Sequence, residues 1–169
     1  KKTVEADPAR YITYDPNVFP MLENFKSSGI KTFLLTNSLW DYTQVVMNYL
    51  EGRKQGEDKD FKWTEYFDVI LVFGCKPAFL EDDRGSLPLF RVHDNHGKGE
   101  IERLENIEVL PETSSEVEAF LAEGKIFQGG NAETLHKLLG TTNRGDRILY
   151  VGDHMYSDIL RSKRTCGWR

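Results

Sequence analysis

The chain is short of cysteine, of long apolar runs and of positive charge, and each shortage argues against a class of protein. Cys75 and Cys166 are far apart and outside any Cys-x-x-Cys pattern, which argues against a disulfide framework or a thiolate zinc site. No stretch approaches the roughly 20 consecutive apolar residues that a bilayer-spanning helix needs. Lys1 to Arg10 lack the apolar core of a secretory signal. Lys and Arg number 22 against 27 Asp and Glu, a net charge of −5, so no broad basic face offers itself to nucleic acid or an anionic membrane. Any phosphate site must be a local concentration of donors and cations. Internal repeats and low-complexity tracts are also missing. Together these features predict a chain of the reducing cytoplasm, with no nucleic-acid or membrane partner.

What is present is a globular composition: 169 residues, 29% charged and 39% hydrophobic, enough for one domain with a sizeable core. Phe19, Leu22 and Phe25 recur at helical spacing before Gly29, and Ile30 to Leu35 reads as a strand ending in Thr36-Asn37-Ser38. Leu39 to Leu50 is again helical, Glu51 to Asp60 is a polar connection, and Trp63 to Phe67 makes a short helical turn. It leads into a strand from Asp68 to Phe73, followed by Gly74-Cys75-Lys76-Pro77. Pro88 to Val92 and Glu100 to Leu104 flank a turn-rich segment, His93 to Gly99, as a hairpin would. Pro111 to Glu123 predicts an acidic amphipathic helix and Lys125 to Gln128 a strand. Asn131 caps a helix through Leu139. Ile148 to Val151 then forms a buried strand, turned at Gly152 into a helix that carries a second acid. The alternation predicts an α/β fold built on a parallel sheet with helices on its faces, with a small hairpin-bearing insertion at about 80–126.

Three of these strands end in groups with chemical use. Asp153 and Asp158, five residues apart beside Gly152, suit a hard cation such as Mg2+, which takes oxygen ligands and is often shared with a phosphate. Ending a strand and charging a first helical turn is the plainer role for the same two acids. Thr36 offers a hydroxyl, and the amides after it could receive phosphate oxygens; an ordinary N-cap is the alternative. Lys76, between an apolar run and Pro77, could neutralise a transferring phosphoryl group, or simply snorkel at a sheet edge. If the strands are parallel neighbours, all of these groups face one crevice beyond the carboxyl ends of the sheet. His93 and His96, at i and i+3, make an incomplete ligand set and read as structural or exposed. The aromatic residues read as core.

Thr, then Lys, then a Gly-Asp-x-x-x-x-Asp acid pair, each at a strand end, resembles the second, third and fourth motifs of the haloacid-dehalogenase-like phosphatases. Phe33 to Ser38, Tyr66 to Val72, Cys75-Lys76-Pro77, Gln128 to Asn131, and Ile148 to His154 with the terminal Gly167-Trp168-Arg169 look more closely like the cytosolic purine 5′-nucleotidase branch. The likeness runs from about Tyr11 to Arg169. It implies a three-layer Rossmannoid sheet and hydrolysis of purine nucleoside 5′-monophosphates of the IMP and GMP type, with Mg2+ as cofactor. Thr36 and Asn37 would contact the phosphate, Lys76 would hold phosphate and nucleophile together, Asp153 would ligate Mg2+, and Asp158 would orient the metal shell or Lys76. In that family one aspartate attacks the phosphate and a second, two residues on, serves as acid and base.

The family's first motif, Asp-x-Asp at the end of the first strand, is expected ahead of all this. Asp7-Pro8-Ala9 and Asp15-Pro16-Asn17 both fail the pattern. The expectation is therefore the carboxy-terminal part of a longer enzyme, without the central strand and the nucleophile, and inactive as an isolated segment. A non-catalytic scaffolding or regulatory relative is the competing reading, and a phospho-accepting receiver domain is a weaker one because its acids should come first. Nucleobase preference, effectors and self-association into a homo-oligomer are left open by the sequence.

Overall fold

The computed structural model describes residues 1–52, 62–81, 87–94 and 100–169. Its centre is β2, Val69–Val72, a β-branched and apolar run that is buried at all four positions. A strand apolar on both faces must be covered on both faces. The two cores show how. Val69 and Leu71 look into one cluster with Leu35, Phe127, Leu135, Leu138, Tyr150 and Trp168, while Ile70 and Val72 look into another with Leu22, Trp40, Met47 and Trp63. The result is a three-layer α/β/α sandwich, and each fully buried aliphatic side chain on β2 contributes about 1.5–3 kcal/mol.

β2 pairs in parallel with β1 (Phe33–Leu35) on one side and with β5 (Ile126–Gly130) on the other. The hairpin of β3 (Leu87–Asp94) and β4 (Ile101–Ile107) is antiparallel, and β3 also pairs antiparallel with β5. The five strands therefore stand in the order β1-β2-β5-β3-β4. The predicted hairpin forms, and it lengthens the main sheet. The connection at 95–99, with His96, lies outside the described residues.

The helices follow the predicted spacing. Two short ones, α1 (Lys2–Ala6) and α2 (Pro8–Tyr11), bury no residue and left no periodic apolar pattern to find. Next come α3 (Val18–Ser27) and α4 (Trp40–Leu50). α5 (Ser114–Glu123) starts later than Pro111 because Thr113 and Glu116 close a reciprocal capping box. α6 (Ala132–Leu139) is capped by the Asn131 side chain, as expected, and ends on Gly140 in the left-handed region. Among the described residues no helix is long and apolar enough to cross a membrane.

The last predicted strand is corrected. Ile148 to Val151 is extended but takes no place in the sheet. Its backbone instead pairs with the chain end: Tyr150 N–H donates to the Arg169 carbonyl at 2.8 Å and Arg169 N–H to the Ile148 carbonyl at 2.9 Å. Ile148 and Tyr150 turn inward, whereas Leu149 and Val151 are 72% and 84% exposed, so the segment is half-buried. It meets β1 through rings: Phe33 stacks on Tyr150 at 6.1 Å and meets Trp168 edge-on at 6.0 Å. Among the described residues, β1 carries a strand only on its β2 side. The helical part that follows is a π-helical turn, Met155–Leu160, running into α7 (Arg161–Thr165).

Candidate functional site: a clasped lysine at the carboxyl ends of β1 and β2

Because β1 and β2 are parallel neighbours, the loops that leave their carboxyl ends emerge side by side and hydrogen-bond together. Thr36 N–H donates to the Leu71 carbonyl, Gly74 N–H to the Thr36 carbonyl, both at 3.0 Å, and Phe73 N–H to the Ser38 carbonyl at 2.8 Å. The Asn37 side chain then clasps Lys76 by its own peptide groups. Lys76 N–H donates to Asn37 Oδ1 at 2.6 Å, and Asn37 Nδ2 donates to the Lys76 carbonyl at 3.1 Å. Phe73 and Cys75, on either side of Gly74, have φ of 49° and 52°. Left-handed backbone at two non-glycine residues costs of order 1 kcal/mol or more each, and such strain concentrates where a backbone is aimed for function.

The clasp fixes the direction of the Lys76 side chain. Its ammonium donates to Tyr150 Oη at 2.7 Å and to Asp158 Oδ1 at 2.8 Å, with only 11% of the side chain exposed. That leaves one N–H of the ammonium uncommitted. Asp158 is 3% exposed, and its second oxygen accepts the His154 N–H at 3.2 Å. Gly152 makes this approach possible: a Cβ there would lie 2.5 Å from Asp158 Cβ and 2.7 Å from Oδ2. Thr36 Oγ1 accepts the Ser38 N–H at 3.1 Å, and its hydroxyl proton has no acceptor among the described residues.

Asn37, Lys76 and Asp158 are thus joined in one hydrogen-bonded group, with Thr36 beside it. Asp153 comes close only through the chain. Its neighbour His154 anchors Asp158, while its own carboxylate is exposed and unpartnered among the described residues. His93 is remote from this group, on the hairpin, where it bonds Glu105 at 2.7 Å and Arg103 at 3.1 Å. Sequence reading missed Tyr150, whose hydroxyl ties the lysine from a third direction. One tyrosine among Ile148, Leu149 and Val151 was the available signal.

The donor set has a clear bearing on a cation. Asp158 is taken up by Lys76 and His154, and no group of three or more metal-binding side chains exists among the described residues. Asp153 fits as one oxygen ligand of Mg2+; a complete shell would also need phosphate, water and a further acid.

Burial works to raise the Asp158 carboxyl, but the Lys76 ammonium and the His154 N–H outweigh it, and the group titrates below its ordinary value. Burial lowers Lys76, yet Asp158 and Tyr150 together leave it raised. Burial raises the Tyr150 phenol against the opposing lysine. A depressed acid stabilises the fold above its unfolded value of about 3.9, and that contribution is lost as pH falls through the lower folded value. A raised lysine contributes below about 10.4, and its contribution is lost as pH rises through the higher folded value. Lys76→Met is therefore expected to flatten both limbs of the stability profile, read as the urea midpoint from acid to alkaline pH. Superimposable profiles for the two proteins would show that the pair does not form.

The profile of the 5′ nucleotidase family matches residues 1–169. A human protein, 5′-nucleotidase domain-containing protein 2 (Homo sapiens), is 31% identical over 166 residues, covering 98% of this chain and 27% of the relative. The chain accordingly spans about a quarter of that relative's length. With the profile running from its first residue to its last, the chain belongs to the 5′ nucleotidase family.

Proposed function

We propose that this chain supplies the phosphate-holding half of a Mg2+-dependent hydrolase of nucleoside 5′-monophosphates, with purine nucleotides of the IMP and GMP type as substrates and the cytoplasm as its setting. The observation that carries the reading is the Lys76 ammonium, fixed by Asp158 and Tyr150 with a third N–H left over, on a loop that Asn37 clasps to the loop of Thr36. A cation and a hydroxyl held rigidly at one rim are preorganised donors for the oxygens of a phosphoryl group, and their effect grows where charge builds in the transition state. Asn37 sets the lysine backbone, and Asp158 keeps the lysine charged and in place. Asp153 would be the chain's contribution to Mg2+, which when bound polarises the phosphoryl oxygens.

No Asp-x-Asp stands ahead of Thr36, so the attacking carboxylate comes from outside these residues. In the haloacid-dehalogenase-like chemistry that we infer, that aspartate bonds to phosphorus, the nucleoside oxygen leaves with a proton from a second aspartate, and water then hydrolyses the acyl phosphate. The test is phosphate release from IMP, GMP and AMP by a polypeptide carrying this chain together with its preceding segment. Lys76→Ala is expected to lower turnover about 10²–10³-fold, the loss of an oxyanion donor or more, and Asp153→Asn to abolish turnover by spoiling Mg2+ binding. Residues 1–169 alone are expected to release none. Wild-type rates in either variant, or steady turnover by the isolated chain, would refute the assignment. A preceding segment without Asp-x-Asp would favour a scaffold that kept the fold and lost the chemistry.

A further inference from the structure

The opposite rim of the sheet holds a second concentration of charge that the proposed reaction does not use. Lys31 and Thr32 precede β1, Asp68 precedes β2 and Lys125 precedes β5, so the amino ends of the three parallel strands meet there. A cleft of about 920 Å3 opens at this rim, lined by Lys26, Lys31 and Lys125, by Tyr66 and Phe67, and by Val117 of α5. That volume is the size of a small-molecule site. Strands of three to five residues, at about 3.3 Å each, separate it from Lys76.

Lys26, Lys31 and Lys125 have no carboxylate within ion-pair distance among the described residues. Lys26 Nζ donates to the Glu65 carbonyl at 3.1 Å, and Lys31 Nζ to the Leu139 carbonyl at 3.3 Å, both main-chain oxygens. The ammonium of the half-buried Lys125 makes no hydrogen bond or ion pair among the described residues. Burial lowers its ammonium, the nearby Lys26 lowers it further, and the charges of Asp68 and Glu65 do not offset the loss. Asp68 is already engaged, accepting the Thr32 N–H at 2.7 Å. Glu65, Asp68, Glu112 and Glu118 line the cleft as well, but among the described residues none of their carboxylates bonds these lysines; Lys137, also at the cleft, is paired with Glu133 at 3.1 Å. A desolvated ammonium that bonds no carboxylate gains from an anion that enters the cleft and does bond it.

We propose that this cleft is a second ligand site, for a small organic or inorganic anion bearing phosphate or carboxylate groups, with Lys125 as its anchor and Lys26 and Lys31 at its sides. It is independent of the chemistry at Lys76. The test is calorimetric titration of the 169-residue chain with inorganic pyrophosphate and with citrate, alongside Lys125→Met and Lys76→Met, each first checked for folding by circular dichroism. Amide shift mapping locates the site. Binding is expected to weaken roughly tenfold or more in Lys125→Met and to persist in Lys76→Met, with shifts at Lys31, Asp68 and Lys125. Saturation by pyrophosphate alone identifies phosphate as the recognised group, and saturation by citrate alone identifies carboxylate. Absence of binding by both probes, binding unchanged in Lys125→Met, or binding abolished only by Lys76→Met would overturn the proposal. The last of these outcomes would leave the reading of the Lys76 site intact.

Discussion

Replacing Asp158 by alanine is expected to lower the unfolding free energy by about 3–5 kcal/mol, the loss that follows when one partner of a buried ion pair is removed. The side chains of Asp158 and Lys76 are 4% and 11% exposed and their charged atoms stand 2.8 Å apart. Taking the carboxylate away leaves an ammonium out of water with only the Tyr150 hydroxyl to receive it, and it leaves the His154 N–H without its acceptor. The cost is thus mainly that of the stranded groups. It follows that Asp158→Ala combined with Lys76→Met should recover part of the loss, because the second change removes the uncompensated charge. Urea denaturation of the four proteins of this cycle measures the coupling. A single Asp158→Ala variant within about 0.5 kcal/mol of wild type, the range of ordinary surface changes, would mean that the pair is not buried.

A loss of similar size, about 3–5 kcal/mol, is expected for Trp168→Ala, as for other large aromatic side chains removed from a core. Trp168 is 1% exposed and its ring lies 5.5 Å from Tyr150, 5.8 Å from His136 and 6.0 Å from Phe33. Its Nε1–H donates to His136 Nε2 at 2.9 Å. An indole nitrogen can only donate, so His136 Nε2 accepts and the imidazole proton sits on Nδ1, which donates to the Thr141 carbonyl at 2.8 Å. Trp168→Phe keeps most of the packing and loses the hydrogen bond, and is expected to cost about 1–2 kcal/mol, the price of an unmet buried acceptor. A Trp168→Phe variant as stable as wild type in thermal or urea unfolding would contradict the role given to that bond. Since Tyr150 rests on Trp168 and also receives Lys76, the alanine variant should disturb the site together with the core.

Much of this was legible in the letters. The apolar run within Asp68 to Phe73 read as a strand, and β1, β5, α4 and α6 followed their periodicity and caps. The hairpin showed itself by its turn formers. The site was legible as a set of strand-end groups, Thr36, Lys76 and the two acids, although their meeting was only an inference. Illegible were the partners supplied by distance in sequence: Tyr150 on Lys76, His136 on Trp168, and Arg91, buried under Phe120 with its guanidinium on Glu123 at 2.7 Å. Ile148 to Val151 misled because apolarity alone cannot tell a strand of the sheet from an extended segment that packs one face and pairs with the chain end.

The amino-acid sequence by itself determined the α/β alternation, the places of the turns and the residue types at each strand end, because periodicity, capping and turn chemistry act over a few neighbouring positions. Tertiary structure alone decided that Asp158 holds the lysine while Asp153 is exposed, with no partner among the described residues. It also decided that three lysines with no bonded carboxylate among the described residues share one cleft at the far rim. Those outcomes depend on which strands lie side by side, and burial of both faces of β2, a property of the whole chain, settles that arrangement.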